Sequence, residues 1–298
     1  TPLSRALLRG ELVRVLKNVG QTSPAAIADA VIAASSDAQQ EPQRALQVEP
    51  WPERVRGLEL ADELAETISR YVVLPSAAVD AVTLWILHTH AFAGAHISPR
   101  LAIQSPSKRC GKSTLLPLLG CLVRRPRPIT ALTSAVVFRL IEQEQPTLLV
   151  DEADTFLGQR DDVRGILNAG HDRSGAPVLR CEGENHELRQ FRVWAPVAVA
   201  GIGKLPDTLQ DRSIVISMKR KTSKERVSSL RRKQRKALLP LQRKCVRWGN
   251  DSAHHIEDHE PSTPEELSDR AADNWEPLLA IADRIGCSWA TRARSAAR

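Results

Sequence analysis

Apolar residues in the N-terminal part of the chain recur with helical spacing. Residues 4–19 carry apolar side chains at every third or fourth position, which predicts a helix. The pair Ser23-Pro24 is typical of a helix start and predicts a second helix that reaches about residue 34. The polar, proline-containing stretch 35–52 is typical of a linker. Two short helices joined by a turn fit either a helix-turn-helix or a general helical lobe, and the pattern favours the lobe.

Beyond the linker, helical patterns alternate with short apolar runs. Helices are predicted near 58–71 and 76–92, the second apolar on most sides and therefore buried. Apolar runs typical of buried strands then alternate with further helices: strands at 100–104, 129–132, 147–151, 195–200 and 213–218, and helices at 112–123, 135–144 (capped by Ser134), 160–169 and 205–211. This alternation predicts an α/β fold with a parallel, doubly wound sheet whose ligand lies at the carboxyl ends of the strands.

The C-terminal part has no further strand pattern. A basic segment is expected as a helix interrupted at Pro240, followed by an acidic, histidine-containing loop at 250–262. Thr263 opens a capping-box pattern, and the helix that follows should be bent or divided at Pro277. The expected organisation is an N-terminal helical segment and linker at 1–50, a helical region packed on the core at 51–98, the core itself at 99–222, and a basic segment with a helical lid at 223–298.

Charge is distributed unevenly over the 298 residues. The net charge is +7, but the segment from Lys219 to Arg247 contains thirteen Lys and Arg side chains and one acidic residue, Glu225. That segment is therefore +12 and the remainder near −5. Such an asymmetry predicts a polyanionic partner. Single-stranded DNA bound without sequence preference is the leading candidate, and a solvated helix face without a partner is the alternative.

Cysteine spacing and hydropathy indicate a protein of a reducing compartment. Five cysteines occur without a Cys-x-x-Cys pair, so neither a zinc site nor a disulfide framework is predicted and a cytoplasmic location is expected. The longest apolar run, Ala81–Ala93, is too short to cross a bilayer, so no membrane partner is expected. Three histidines at 254, 255 and 259 fit a surface loop better than a metal site.

The run Ser105–Thr114 follows a predicted strand and contains Gly111-Lys112-Ser113, the end of a phosphate-binding loop. Backbone N–H groups there would hold phosphate oxygens, Lys112 would reach the β- and γ-phosphates of ATP, and Ser113 would bind Mg²⁺. The loop pattern expects glycine where this chain has Pro106, which changes the mouth of the loop. The predicted nucleotide contacts are Pro106, Ser107, Lys108, Arg109, Cys110, Gly111, Lys112, Ser113 and Thr114.

An acidic pair follows a second buried strand. In Leu148-Leu-Val-Asp-Glu152, Asp151 stands at the carboxyl end of the strand, where it would join Ser113 in holding Mg²⁺. Glu152 is placed to orient or deprotonate an attacking water. The two motifs together predict a nucleotide-hydrolysing site.

Several motifs resemble an uncharacterised helicase-like AAA+ P-loop ATPase domain family of bacterial, prophage and plasmid replication proteins, over residues 55 to 295. The Asp151-Glu-Ala-Asp154 run also spells the motif of the DEAD-box helicases, but those need two tandem motor domains. The residues that carry the family resemblance are the run 105–113, Val150–Asp154, Leu167–His171, Gly201–Ile214 and Asp269–Leu278. Pro106 belongs to that family's version of the loop.

The resemblance implies further site residues. Arg212 corresponds to an arginine finger that stabilises charge on the γ-phosphate of a neighbouring subunit, which implies a ring, expected to be a hexamer. A salt bridge to Asp207 or Asp211 is the alternative role for Arg212. Arg270, in the lid helix, corresponds to a second sensor. The first-sensor position is occupied by Gly201-Ile-Gly203, so Asn168 and His171 are considered as substitutes.

A predicted hairpin at 178–193 occupies the place where related helicases grip DNA. Phosphate contacts would come from its basic side chains, Arg180, His186, Arg189 and Arg192. Three glutamates near the tip, at 182, 184 and 187, oppose phosphate binding, so a purely structural hairpin is an equal alternative.

Three functions are compatible with these features. The first is a ring-forming DNA helicase or translocase in phage, plasmid or mobile-element replication. The second is an ATP-dependent assembly switch that recruits a primase or polymerase partner without unwinding. The third, a P-loop kinase for a small substrate, is weakened by the basic segment and by Arg212.

Overall fold

The computed structural model describes residues 2–19, 23–29, 48–130, 133–156, 158, 160–175, 177–182 and 187–298. The chain divides into two units, 1–47 and 48–298. The first contains helix α1 (Pro2–Asn18) and a helix α2, described over residues 24–29. The first predicted helix is confirmed, and the second is confirmed over α2. Its predicted end and most of the linker 35–52 lie outside the described residues.

A parallel sheet of five strands forms the centre of the second unit. The strands are β1 (Arg100–Ser105), β2 (Pro126–Ile129), β3 (Thr147–Val150), β6 (Val197–Ile202) and β7 (Ser213–Ser217), in the order β2-β3-β6-β1-β7. Between β3 and β6 in the chain, β4 (Val178–Glu182) and β5 (Glu187–Phe191) form a separate antiparallel hairpin. The predicted α/β fold class with a parallel sheet core is confirmed.

Helices cover the two faces of the sheet because its inner strands are apolar on both sides. Leu101 and Ile103 of β1 face one apolar core, and Ala102 between them faces the other. The first core is formed with α3 (Gly57–Tyr71), α4 (Ser76–His90), α5 (Lys112–Leu119), α11 (Leu239–Glu257), α12 (Asp269–Ile285) and α13 (Ser288–Ala297); the second with α6 (Ser134–Glu144), α8 (Asp161–Ala169) and α9 (Asp207–Gln210). Short helices α7 (Ala153–Phe156) and α10 (Arg232–Ala237) complete the set.

The predicted helices at 58–71 and 76–92 are confirmed as α3 and α4. Helix α4 is buried over most of its length, as its apolar composition requires. The Trp85 indole donates to Pro99 O at 2.9 Å, so the one polar atom of this side chain is satisfied in the core. His90 is also buried and donates from Nε2 to Leu122 O at 2.7 Å. None of the helices in the described ranges has the length and hydropathy needed to cross a membrane.

Two element boundaries near the centre of the chain differ from the prediction. Helix α5 ends at Leu119 instead of continuing to about residue 123. Pro117 supplies no N–H to the helical ladder, and the backbone tightens after it, with Cys121 N donating to Leu118 O at 3.0 Å. Strand β2 pairs with β3 over 126–129 and so begins three residues before the strand predicted at 129–132, whose last two residues lie outside the described ranges. Ser134 is the first residue of α6, and Thr133 takes the cap position expected for it.

The C-terminal predictions are wrong in three places. Residues 219–231 are not helical, and their backbone bonds elsewhere: Ser228 N donates to Arg70 O at 2.8 Å instead of to a carbonyl of its own segment. The expected loop at 250–262 is instead helix α11 as far as Glu257, since Ser252 and Ile256 continue its buried stripe. The capping box at Thr263 does not open a helix; α12 begins at Asp269, capped by Ser268, and runs through Pro277 undivided.

Buried histidines make the stability of the fold depend on pH. Burial lowers the pKa of His88 to about 3 and that of His90 to about 4, from 6.5. The unfolded chain therefore binds more protons below about pH 6.5, and stability present above that pH is lost as the pH falls towards 4. His90→Gln should reduce this loss in urea unfolding measured at pH 7.5 and pH 5. The exposed His254→Gln serves as control, and an unchanged pH dependence in His90→Gln would contradict the assignment.

Candidate functional site

The loop between β1 and α5 lies at the carboxyl edge of the sheet. Lys112, the first residue of α5, donates from Nζ to Ser105 Oγ, and Ser105 Oγ donates to Ser107 O at 2.8 Å. Ser105 is the last residue of β1, so the lysine side chain folds back over the loop that joins the strand to the helix. The amine is thereby held at the end of β1, where the loop of residues 106–111 begins.

The backbone donors of this loop are free for a ligand. Within the described part of the chain, the N–H groups of residues 107–113 donate to no internal acceptor, and the first internal bonds come from Thr114 N and Leu115 N to Gly111 O. These free donors stand at the positive end of the α5 dipole. A run of free N–H groups next to a lysine amine matches an anion such as a phosphate chain.

Gly111 is required by the geometry of the loop. Its φ is +94°, in the left-handed region that L side chains rarely adopt. A Cβ there would lie 3.1 Å from Met218 Cε and 3.8 Å from Val72 Cγ1. Arg109 also has a positive φ, of 65°. Pro106 to Arg109 are exposed, whereas Cys110 is buried, so Cys110 offers a ligand its backbone and not its thiol.

The acidic pair follows β3 at the same edge of the sheet. Strand β6 separates β3 from β1, so Asp151 stands two strands, or about 10 Å, from the end of β1. Asp151 Oδ1 accepts from Glu152 N at 2.9 Å. Glu152 has an exposed side chain and a φ of 51°, and Thr155 holds its carbonyl through bonds of 3.0 Å from N and 2.7 Å from Oγ1. A left-handed non-glycine residue at the same sheet edge as the β1–α5 loop is typical of a functional position.

The backbone at the expected first-sensor position, residues 201–203, bonds to the segment that follows β3 and to the last residue of β1. Ile202 N donates to Asp154 Oδ1 at 3.0 Å, and Gly203 N donates to Ser105 O at 3.0 Å. A Cβ on Gly201 would come within 3.2 Å of Asp154 Oδ1. Asp154 was not expected to have a role here; its only signal in the sequence is its place in the acidic run that begins at Asp151.

Arg212 lies at the opposite, amino-terminal edge of the sheet. It immediately precedes β7, and Arg100 N, at the start of β1, donates to Arg212 O at 2.8 Å. Strand β1 separates this edge from Ser105 by about 17 Å. The guanidinium donates from Nη1 to Thr208 O at 2.8 Å. Asp207, one of the two predicted ion-pair partners, instead pairs with Lys204 at 2.6 Å.

Arg270 lies near Arg212 and not near Lys112. His171 Nε2 donates to Asn274 Oδ1 at 2.8 Å, and Asn274 Nδ2 donates to Asp211 O at 2.8 Å, which fixes the start of α12 against this edge. Burial and then the charges of Arg100, Arg212 and Arg270 lower the pKa of His171 to about 4, so the ring is neutral near pH 7. The structure therefore does not bring Arg270 to the phosphate loop of its own chain.

Asn168 and His171 also lie at the amino-terminal edge. Asn168 Nδ2 donates to Thr208 Oγ1 at 3.2 Å, which places it beside the helix that leads to Arg212. His171 N donates to Asn168 O at 3.2 Å. Neither side chain is positioned to replace a first sensor in the pocket of its own chain.

Arg100 anchors this edge, and sequence analysis gave it no role. Its side chain is fully buried and donates to Ala195 O at 2.8 Å, to Ser98 O at 3.3 Å and to Leu167 O, while its Nε has no partner within the described residues. Burial, and then the charge of Arg212, lower the pKa of Arg100 to about 9. Leu167 stands at the C-terminal end of α8, where the helix dipole favours a cation. The only signal in the sequence is a charged residue opening an apolar strand.

One face of the β4–β5 hairpin packs on α6. Phe138 of α6 and Phe191 of β5 have ring centroids 4.3 Å apart. Arg180 lies over the Phe138 ring, and Arg189 donates to Glu142 Oε2 at 3.0 Å. Two of the four basic side chains predicted to contact DNA are thus engaged with the body of the unit. Arg192 is exposed, and His186 lies outside the described residues.

Ten of the thirteen basic residues predicted to bind a polyanion are exposed on one segment, residues 219–236, which we call the basic strap. They are Lys219, Arg220, Lys221, Lys224, Arg226, Arg231, Arg232, Lys233, Arg235 and Lys236. The strap leaves the sheet beside the phosphate loop, because Met218 N donates to Gln104 O at 2.8 Å and Met218 packs near Gly111. The other three contact the protein: Arg243 donates to Glu49 O, Lys244 pairs with Glu63 and Arg247 pairs with Asp251.

The described residues contain no group of three or more His, Cys, Asp or Glu side chains that could hold a metal ion. The exposed pair His254 and His255, expected in a loop, lies on α11 with ring centroids 3.8 Å apart.

Comparison with known proteins matches the C-terminal part of the chain. Residues 217–298 match a family described as a protein of unknown function (DUF3631). An "Uncharacterized 28.9 kDa protein in xis 5'region" of Saccharopolyspora erythraea is 43% identical over 81 residues, which cover 27% of this chain and 30% of that protein. The matching segment thus spans less than a third of that relative.

Similar solved structures are viral helicases with low sequence identity. The X-ray structure of JCV helicase has a TM-score of 0.32 and 13% identity, over 90% of this chain and 76% of that one. The same helicase bound to a thiazolopyridine acetamide ligand gives a TM-score of 0.33 and 16% identity, over 92% and 76% of the two chains.

We expect Gly111→Ala to weaken both the fold and the site. The left-handed φ costs an L residue about 1 kcal/mol or more, so the variant should lose about 1–2 kcal/mol in urea unfolding, with weaker nucleotide binding. Gly165→Ala is the matched control. Gly165 is an exposed glycine in α8 with open space around it, and alanine there should be neutral or stabilising by up to about 1 kcal/mol. Equal unfolding free energies for Gly111→Ala and the native chain would contradict the assigned loop geometry.

Proposed function

We propose that this chain is an ATP-hydrolysing, AAA+-like domain that assembles into a ring and acts on DNA as a helicase or translocase. The observation that supports it best is the row of free backbone donors at 107–113. This row includes Lys112, whose amine is held at the end of β1, and it lies at the same sheet edge as Asp151 and Glu152. Nucleotide hydrolysis requires hydrogen-bond donors for the phosphates and carboxylates for the metal ion and the water, and here both lie at the carboxyl ends of parallel strands.

The residues present fit Mg²⁺-bound ATP. The free N–H groups and Lys112 would hold the phosphate chain, and Ser113 and Asp151 would hold the ion. When bound, Mg²⁺ supplies positive charge that offsets the charge of the phosphates. Glu152 has an exposed side chain at the same edge of the sheet and would accept a proton from the attacking water. Lys112 would stabilise the charge that develops on the oxygens of the transferred phosphoryl group.

Ring assembly is supported by the separation of the two edges of the sheet. Arg212 is about 17 Å from the phosphate loop of its own chain along β1, too far to contact the same nucleotide. In a ring, the amino-terminal edge of one copy would face the phosphate loop of the next. Arg212 would then complete the neighbour's site, and Arg270, on the same edge, would act on that neighbouring nucleotide as well. A hexamer is the ring size we propose.

The basic strap supports a nucleic-acid partner. None of its ten exposed cations makes an ion pair among the described residues, and the one acid of the segment, Glu225, accepts from Thr222 N and Oγ1. Such a segment binds a phosphate backbone without sequence preference and with strong salt dependence. Single-stranded DNA is the partner that suits a ring-forming motor of the cytoplasm.

A second function is favoured by one observation. The first-sensor position is the run Gly201-Ile-Gly203, where Ile202 N donates to Asp154 Oδ1 and Gly203 N donates to Ser105 O, and neither glycine has a polar side chain to orient a water. Slow hydrolysis would suit an assembly switch, in which ATP drives ring formation and the ring recruits a primase or polymerase without unwinding DNA.

ATP hydrolysis by the purified chain is the direct test, with Lys112→Ala and Glu152→Gln as diagnostic variants. Lys112→Ala should abolish nucleotide binding, since it removes the charge that contacts the β- and γ-phosphates. Glu152→Gln should keep binding and lower turnover by about 100-fold or more, because it removes the base alone. Native ATP affinity in Lys112→Ala would overturn the loop assignment, and an active Glu152→Gln would show that another residue is the base.

Single-stranded DNA and strand-displacement assays separate the two functions. ATPase stimulation by DNA with unwinding indicates the motor, and ATP-dependent oligomers without unwinding indicate the switch.

Arg212→Ala should stop hydrolysis while nucleotide stays bound, because the arginine serves the neighbouring copy. Mixing this variant with Lys112→Ala should restore part of the activity, since the Lys112→Ala protein supplies Arg212 to an intact phosphate loop on the Arg212→Ala protein. Lys204→Ala removes a nearby exposed charge and is the control. Hydrolysis that stays absent at every mixing ratio, with both variants folded and assembled, would argue against completion in trans.

A further inference from the structure

A second cavity lies away from the phosphate loop, at the other end of α3. It has a volume of about 780 Å³ and is lined by the start of α3, the middle of α11 and the end of α12. Gly57 opens α3 at this cavity, whereas Val72, just beyond the end of the helix, packs near Gly111 of the phosphate loop. The 15 residues of α3 span about 22 Å, so the two sites are distinct.

Positive charge dominates the lining of this cavity. Arg54, Arg56, Arg247 and Arg284 all line it, and Asp251 is the acidic residue among the lining side chains. Arg247 pairs with Asp251 at 2.8 Å, and Arg56 pairs with the nearby Glu59 at 2.8 Å. Arg54 and Arg284 have no ionic partner within the described ranges. The cavity therefore holds two uncompensated guanidinium groups.

Uncharged hydrogen-bond donors also lie at this cavity. The first backbone N–H groups of α3, from Gly57 to Glu59, have no internal acceptor in the described chain, since the first ladder bond runs from Leu60 N to Arg56 O. The N-cap residue supplies no side-chain acceptor. Trp248 lines the cavity and is 4% exposed. Its indole Nε1 has no partner among the described residues, and it lies 2.8 Å from the position of a Cβ on Gly57.

We propose that this cavity is a second anion site, which binds a phosphate chain carrying more than one negative charge. Arg54 and Arg284 would pair with phosphate oxygens, and the N–H groups at the start of α3 and the Trp248 indole would complete the set of donors. Guanidinium groups suit phosphate because their planar fork donates two parallel hydrogen bonds. The ligand is either a free polyphosphate, as in a nucleotide, or the backbone of a bound strand, and both present the same chemistry. The proposal is independent of hydrolysis at the phosphate loop.

Tripolyphosphate binding, measured by calorimetry in the Lys112→Ala background, tests this site without the phosphate loop. One phosphate chain should bind per protein, and Arg54→Ala with Arg284→Ala should weaken it by about tenfold or more. Replacement of the same two arginines by lysine should restore part of the affinity, because charge returns without the fork. The control removes two exposed arginines outside the cavity, Arg14→Ala with Arg298→Ala, and should change the affinity less than twofold.

A second arm, with a dodecamer of thymidylate in place of tripolyphosphate, identifies the source of the phosphate. Loss of both ligands in the cavity variant indicates a strand whose backbone enters the cavity, and loss of tripolyphosphate alone indicates a free polyphosphate. The proposal is overturned if tripolyphosphate does not bind Lys112→Ala protein, or if the cavity and control variants bind it equally. Arg54 and Arg284 are exposed, so unfolding temperature should confirm that all variants fold. Absence of phosphate binding in the cavity would not contradict ATP binding at Lys112. Absence of ATP binding at Lys112 would likewise not contradict the anion site in the cavity.

Discussion

The parallel alignment of β1, β3 and β6 determines where every candidate site residue can act. Because these strands run in one direction, the segments that follow them meet at a single edge, and Lys112, Asp151 and Glu152 come together there. The same alignment sends the start of β7, and with it Arg212, to the other edge. A nucleotide at one edge and a cation at the other can meet only between two copies of the chain. The proposed ring is thus a consequence of sheet direction.

Buried polar contacts hold the two edges in place. At the amino-terminal edge, Arg100 bonds carbonyl groups of three segments and accepts the cost of full burial without a carboxylate partner. At the carboxyl edge, Asp154 and Ser105 fix the glycine-rich end of β6. The N–H groups of the phosphate loop, by contrast, have no internal acceptor within the described chain. Such donors are stable only when water or an anion satisfies them.

The sequence predicted those features that local patterns determine. Apolar runs identified β1, β3, β6 and β7, whereas β2 was expected at 129–132 and pairs over 126–129. Gly111-Lys112-Ser113 marked the passage from β1 into α5, because a left-handed glycine and a helix start are coded by adjacent residues. The basic segment was expected to be helical, yet residues 219–231 are not. Charge density alone says little about backbone geometry. Arg270 was expected beside its own phosphate loop, yet it lies with Arg212, because only the packing of Asn274 against Asp211 and His171 decides the position of α12. The arginine-lined cavity joins Arg54 and Arg284, which are 230 positions apart, so no local sequence pattern could predict it.

A crystal structure with Mg²⁺ and a non-hydrolysable ATP analogue tests the central claim most directly. We expect the triphosphate within hydrogen-bonding distance of the backbone of residues 107–113 and of Lys112 Nζ, with the ion between Ser113 and Asp151. An adjacent copy should present Arg212 towards the γ-phosphate. A nucleotide bound elsewhere, or a loop whose N–H groups turn away from the phosphates, would contradict the account.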